Sequence, residues 1–311
     1  MSGRRSLRAL AAPSSLKGVL SARAAAAALA RGFREAGVEC DEVPVADGGE
    51  GTLDALRGEL VLQEHELGVR DAFGRRRRAT WLELRDGTAV VEAAQAIPLD
   101  PERRDVLTAS SRGLGELIRE VCNSEIRALV VGLGGTANMD AGAGLLEVLD
   151  SLPVPTRAAC DVRTKLVDAP RLYGPQKGAS AAEVRELTAR FAGHEQGELE
   201  GSGSAGGLGA ALATLGAELV PGAELVLELI RFDPRGRALV VTGEGTVDET
   251  TWEGKAPAAV QLACVRAGIP CIVFGGIVRT GEGIALSGDR ARASDDLFSL
   301  GMRLGQGLAT S

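Results

Sequence analysis

One unit, repeated along this chain, limits what it can fold into: a short apolar stretch, a glycine-rich polar loop, then an amphipathic or alanine-rich run. Residues 7–12 lead into "PSSLKG", after which Ser21 is placed to cap "ARAAAAALARGF", ending near Gly37. Residues 43–46 lead into "DGGEGT" and a short helix from about Leu53. "ALVVGLGGTANMDAGAG" opens a helix around "LLEVLDSL", and before it Leu114, Leu117, Ile118 and Val121 keep helical spacing. The last unit is "VVTGEGTVDETTWEGKAP", residues 240–257, where Pro257 suits the first turn of a helix. Val260, Ala263, Cys264 and Ala267 then share a face, and the strand "CIVF" follows. Strands alternating with helices predict a parallel sheet covered on both faces, with ligands taken at the carboxyl ends of the strands.

Two segments break the rhythm. Residues 60–100 alternate apolar and polar positions as antiparallel strands do, and residues 151–200 hold prolines, irregular turns and one helix near "SAAEVRELTARF". The expected fold is therefore α/β with two domains. A Rossmann-like, three-layer parallel-sheet domain takes residues 1–59, 100–150 and 201–311. A second α/β domain, 60–99 and 151–200, is inserted into it, with a cleft between them.

Composition removes several classes of function. Aromatics are 3% of the chain, so its core must be built of Ala, Val and Leu. A net charge of −7 argues against nucleic acid, and the run Arg75, Arg76, Arg77, Arg78 reads as a solvated turn. The five cysteines lack any CxxC spacing, which points away from a disulfide framework or zinc and toward a reducing cytoplasm. The twin arginine near the start suggests a secretory leader, but Arg8 interrupts the apolar stretch, and a first strand is the better reading. No uncharged apolar window of about 18 residues predicts a membrane span. With His65 and His194 the only histidines, and no GxSxG around Ser14 or Ser15, triad chemistry is excluded. The P-loop pattern also fails, because Ala256 follows Gly254-Lys255 and Glu249 holds the first glycine's place.

What remains is charge and bare backbone. "GLGGTANMDAGAG" can cradle phosphate oxygens at a helix start, or simply let strand and helix pack closely. "GSGSAGGLG" follows a polar stretch rather than a strand, so it serves packing or anion contact and not a dinucleotide fingerprint. Lys17 and Lys255, each beside a glycine in loops at one sheet edge, are candidates to pair with phosphate or carboxylate. Asp47, Glu50, Asp140, Glu244 and Asp248 sit likewise. Each alone could cap a helix, but together they would repel unless a divalent cation or protons intervened. Magnesium bridging nucleotide phosphates would give that arrangement a purpose.

In order, "APSSLKGVLSA", "VPVADGGEGT", "VGLGGTANMDAGAG", "ACDV", "YGPQKGA", "GSAGGLGAAL" and "VVTGEGTVDETTWEGKAP" resemble the signature segments of the bacterial glycerate kinase family, the glycerate 2-kinase type. The resemblance is collinear from about residue 11 to 276. It implies ATP-dependent phosphorylation of D-glycerate, with Mg²⁺ and with 2-phosphoglycerate as the product expected of the family. Its partners are then glycerate and nucleotide, without nucleic acid or membrane; a homodimer stays open. It implies Lys17, Asp47, Asp140 and Lys255 as catalytic residues, Asp47 orienting or deprotonating the attacking hydroxyl. Ser14, Ser15, Asp161 and Lys177 would bind substrate. Gly134, Gly135, Thr136, Gly206, Gly207, Gly243 and Gly245 would hold nucleotide phosphates, and Glu244 and Asp248 the metal.

The departures are specific. The family's A-P-D-S-F-K-G has Ser14 and Leu16 here, S-A-T-N-D-G-G has Met139 for its asparagine, D-N-P-L gives way to Arg163, Thr164, Lys165 and Leu166, and G-E-G-R-x-D has Thr246 for its arginine. A stretch after Leu149 is missing, and the C-terminal part is short. They leave two alternatives: a kinase of another small hydroxy acid, or a weakly active or non-catalytic paralogue.

Overall fold

The computed structural model describes residues 7–310, which form two compact units. The twin arginine at 4–5 lies outside the described residues. One unit comprises the chain up to residue 47 with 54–56 and 226 onward; the other comprises 48–53 and 57–225. The strands in chain order are β1 (Arg8–Ala11), β2 (Glu39–Glu42), β3 (Val61–Arg70), β4 (Arg76–Leu84), β5 (Thr88–Glu92), β6 (Ala128–Leu133), β7 (Thr156–Cys160), β8 (Glu218–Pro221), β9 (Leu239–Val247), β10 (Cys271–Val278) and β11 (Ile284–Ala285).

In the first unit the sheet order is β11-β10-β9-β1-β2, parallel throughout. Ser21 caps the helix Ala22–Glu35 as its position predicts, its hydroxyl accepting from the Ala24 amide at 3.2 Å. The alanine-rich face of that helix buries Ala25, Ala26, Leu29, Ala30 and Phe33. The C-terminal helix Ala293–Ala309 packs against it backbone to backbone. A Cβ on Gly32 would lie 2.1 Å from the Phe298 carbonyl oxygen, and one on Gly301 would lie 2.2 Å from that of Leu29. A chain poor in large side chains thus fills its core by bringing backbones close together.

The second unit holds one six-stranded sheet, β3-β4-β5-β6-β7-β8. Its first three strands are antiparallel, as the alternation in residues 60–100 predicts, and from β5 onward the pairing is parallel. Residues 100–150 and 201–225 were expected in the first domain and lie in this unit. The reason is register: β6 pairs with β5 from Thr88 opposite Ala128 to Glu92 opposite Gly132. Periodicity identifies a strand without naming the sheet it joins. Leu114, Leu117, Ile118 and Val121 are fully buried on the helix Arg112–Cys122, as their spacing requires. The helix expected around "LLEVLDSL" shrinks to one turn, Ala143–Leu146, ahead of Pro153 and Pro155. No helix among the described residues is long and apolar enough to cross a membrane.

Candidate functional site

In the first unit the site grows from β9. Its central position in the sheet forces Gly243 against β10, where a Cβ would meet the Phe274 carbonyl oxygen at 2.2 Å and the ring at 2.6 Å. Only glycine fits. The Gly243 carbonyl accepts from the Ser14 amide at 2.8 Å, which draws the "PSSLKG" loop alongside. Residues 243–247, expected as a loop, are still strand, paired to β10 as far as Val247 opposite Val278. The charged loop proper starts at Asp248.

The result is a cavity of about 450 Å³ lined by Ser15, Lys17, Glu244, Gly245, Asp248 and Lys255 among others. Ser14, though anchored to β9, does not line it. Leu16, Val19, Ile277 and Leu286 supply an apolar side. Thr246, which stands where the family motif has arginine, lines it as well.

Glu244 is the electrostatic centre of this pocket. Its side chain is 14% exposed, one oxygen accepting from the Thr251 hydroxyl at 2.7 Å and the other 3.7 Å from the Lys255 ammonium. Burial raises its pKa above the usual carboxylate value. The Thr251 bond and Lys255 oppose that shift, and the charges of Asp47 and Asp248 add to it. Asp248 is held the other way. Its carboxylate accepts from the Thr250 hydroxyl at 2.6 Å and from the Thr250 amide at 3.0 Å, and the hydroxyl bond lowers its pKa. Lys255 is the N-cap residue of the helix Ala256–Ala267, which opens with Pro257 in its first turn.

In the second unit the corresponding place is the loop 134–140 after β6. A Cβ on Gly134 would lie 2.8 Å from an Asp161 carboxylate oxygen, and Gly135 is left-handed at φ 66°, beside Glu50. Asp140, expected as a catalytic carboxylate, is saturated instead. One oxygen accepts from Asn138 Nδ2 at 3.0 Å and the Gly142 amide at 3.1 Å. The other accepts from the Ser111 amide and hydroxyl, each at 2.8 Å, and from the Gly144 amide at 3.2 Å. That carboxylate ties the loop 138–144 to the start of the helix Arg112–Cys122 at Ser111. Lys177 is also an interior group, 6% exposed, donating to the Asn138 carbonyl at 2.8 Å and the Thr136 hydroxyl at 3.3 Å.

Gly206 and Gly207, expected to contact phosphate, are buried against protein: a Cβ on Gly206 would lie 2.1 Å from the Asn138 carbonyl oxygen, and one on Gly207 would lie 2.6 Å from the Ala141 Cα. Close packing, the other use open to that glycine run, is the one the structure makes of it. Met139 is 1% exposed and belongs to an apolar cluster with Val106, Leu166, Leu187 and Phe191. The thioether that departs from the family motif is a core residue here.

Two α/β units, with glycines and charged side chains gathered where parallel strands end, define an enzyme of the α/β class. The family model of the glycerate kinase family matches residues 9–153 and 151–294. Glycerate 2-kinase of Escherichia coli K12 is 34% identical over 327 residues, covering 88% of this chain and 86% of its own. Glycerate kinase of Bacillus subtilis 168 is 33% identical over 355 residues, covering 94% and 90%. A crystal structure of a protein assigned as glycerate kinase 2 from Salmonella typhimurium LT2 superposes with a TM-score of 0.80 at 29% identity, covering 98% of this chain and 99% of that one. The chain belongs to the glycerate kinase family and is a kinase. The two matched stretches of the family overlap at residues 151–153, close to Leu149, after which the sequence predicts a missing segment.

Proposed function

We propose that this protein transfers the γ-phosphoryl group of ATP to D-glycerate and releases 2-phosphoglycerate. The cavity beside β9 carries the proposal, because it sets Lys17, Lys255 and Arg290 together with Glu244, Asp248, Asp289 and Asp296 against an apolar wall in one pocket. A nucleoside triphosphate needs that combination: cations for its phosphates, apolar surface for its base. Lys17 and Lys255 would neutralise the phosphates, and Gly245 leaves backbone open to them.

Among the described residues no cluster of three or more His, Cys, Asp and Glu side chains forms a metal site. Magnesium asks for less, since one or two carboxylates suffice when phosphates complete its shell. Glu244 and Asp248 meet that requirement, and the burial and like charges that press on Glu244 are the strain a bound cation relieves. When bound, Mg²⁺ would supply charge compensation for the transferring phosphoryl group. Asp47, whose charge reaches Glu244, is the candidate to orient or accept the proton of the attacking hydroxyl. Ser14 and Ser15 are candidates to bind glycerate in the first unit and Asp161 is one in the second, where Gly134, Gly135 and Thr136 offer an anion-binding loop. The five free cysteines suit a reducing cytoplasm.

A second reading keeps the kinase and changes the acceptor. Thr246 in the cavity wall favours it, since a cation is replaced there by a neutral side chain. One experiment separates the two: ADP release with MgATP over a panel of small hydroxy acids, with ³¹P NMR of the product. Highest kcat/KM with D-glycerate, a 2-phosphoglycerate signal and loss of turnover on chelation are expected. Equal or better turnover of another acid would overturn the acceptor, and no ADP release with any acid would overturn the kinase reading.

A further inference from the structure

Lys177 ends the 3₁₀ turn Pro175–Lys177, and the residue after it fixes the turn. Gly178 is left-handed at φ 97°, and a Cβ there would lie 2.5 Å from that of Arg104. The lysine chain therefore runs inward from a rigid mount. Its ammonium bonds Thr136 and Asn138, which lie 41 and 39 residues earlier on the loop 134–140. The charges that face it are Asp161, after β7, and Asp140, on the loop itself; Arg104 packs on the neighbouring glycine. Burial pulls its pKa down to about 8, while Asp161 and Asp140 hold it up.

We propose that Lys177 is a positioning residue: its interior ammonium, balanced by Asp161 and Asp140, keeps the loop 134–140 in shape through Thr136 and the Asn138 carbonyl, without touching substrate. Deprotonation leaves the two acids without their counter-charge, so the loop slackens as pH rises through about 8. Global stability moves the opposite way. A lysine that titrates near 10.5 when unfolded keeps its proton there across that window, so this group makes folding more favourable as pH rises. Alkaline loosening without unfolding is the signature.

Hydrogen exchange of the peptide spanning 134–140 tests this without relying on the glycerate reading, which enters only through the activity arm. After correction for intrinsic exchange, protection should fall about tenfold in Lys177→Met, and in the wild-type protein above pH 8, with the helix Ala22–Glu35 unchanged. Thr136→Val removes one tether and keeps the ammonium with its Asn138 bond, and it should lose part of the same protection even if Lys177→Met fails to fold. In a folded Lys177→Met protein, kcat/KM should drop on the order of a hundredfold and lose its alkaline limb. Loop protection within twofold of wild type in the folded variants, together with a flat pH profile, would overturn the proposal. Loosening without glycerate turnover in any protein would uphold it and remove the substrate assignment instead.

Discussion

At Glu244 and Lys177 burial sets how the group ionises, and each has consequences in its own unit. The carboxyl of Glu244 is raised, so between its ordinary and folded values the folded chain holds the extra proton. Stability from this group is therefore present at low pH and is lost as pH rises through that window. Replacing Glu244 by Gln keeps an acceptor for Thr251 and removes the buried charge. At neutral pH, Glu244→Gln should raise Tm by about 2 °C while phosphoryl transfer falls on the order of a hundredfold. Calorimetry and the ADP-release assay would read the two effects, and a variant that loses stability would contradict the burial argument. The arginine run shows the opposite case, charges that stay in water. Arg75 pairs with Asp71 and Asp100 at 2.6 and 2.9 Å, and Arg78 with Glu66 at 3.1 Å; the run was expected as a turn, but Arg76, Arg77 and Arg78 form the exposed start of β4.

At the scale of elements, glycine does the work that large side chains do elsewhere. The contact of the helices Ala22–Glu35 and Ala293–Ala309 depends on Gly32, Gly301 and Gly305, the last placing a Cβ 2.7 Å from that of Ala36. The helix Ala293–Ala309 is thus packed core. Gly301→Leu should destabilise by about 1–3 kcal/mol, read as a fall in the urea midpoint at constant slope, and an unchanged midpoint would contradict the backbone contact. The loops tell a similar story. Ala141 and Ala205, at φ 51° and 50°, are left-handed without being glycine, and the Ala141 amide donates to the Gly206 carbonyl between them at 3.1 Å. A glycine-rich sequence signalled that backbones approach something closely; whether that was phosphate or protein depended on which loop lay opposite.

At the scale of the whole molecule, each unit has its own apolar cluster and its own tryptophan. Trp81, 3% exposed and stacked on His65 at 4.0 Å, reports the second unit. Trp252, in the short helix after Asp248, reports the first. In Trp81→Phe protein, a saturating non-hydrolysable MgATP analogue at about a hundredfold over Kd should stabilise the Trp252 transition by about 2.7 kcal/mol. In Trp252→Phe protein, the Trp81 transition should move less. A Trp252 transition that ignores the nucleotide would take the proposed phosphate pocket away from Lys17, Glu244 and Lys255.

Local signals in the chain settled many of the strands and helices, because capping by Ser21, the stripe on 112–122 and the alternation in 60–100 need only neighbours in sequence; the extension of β9 to Val247 and the one-turn helix Ala143–Leu146 departed from them. Motif order likewise settled the family. The sheet that β6 joins, the burial of Lys177 and Met139, and the saturation of Asp140 were decided only by tertiary packing. Each depends on partners dozens of residues away, and desolvation belongs to a place in the fold, never to a residue type.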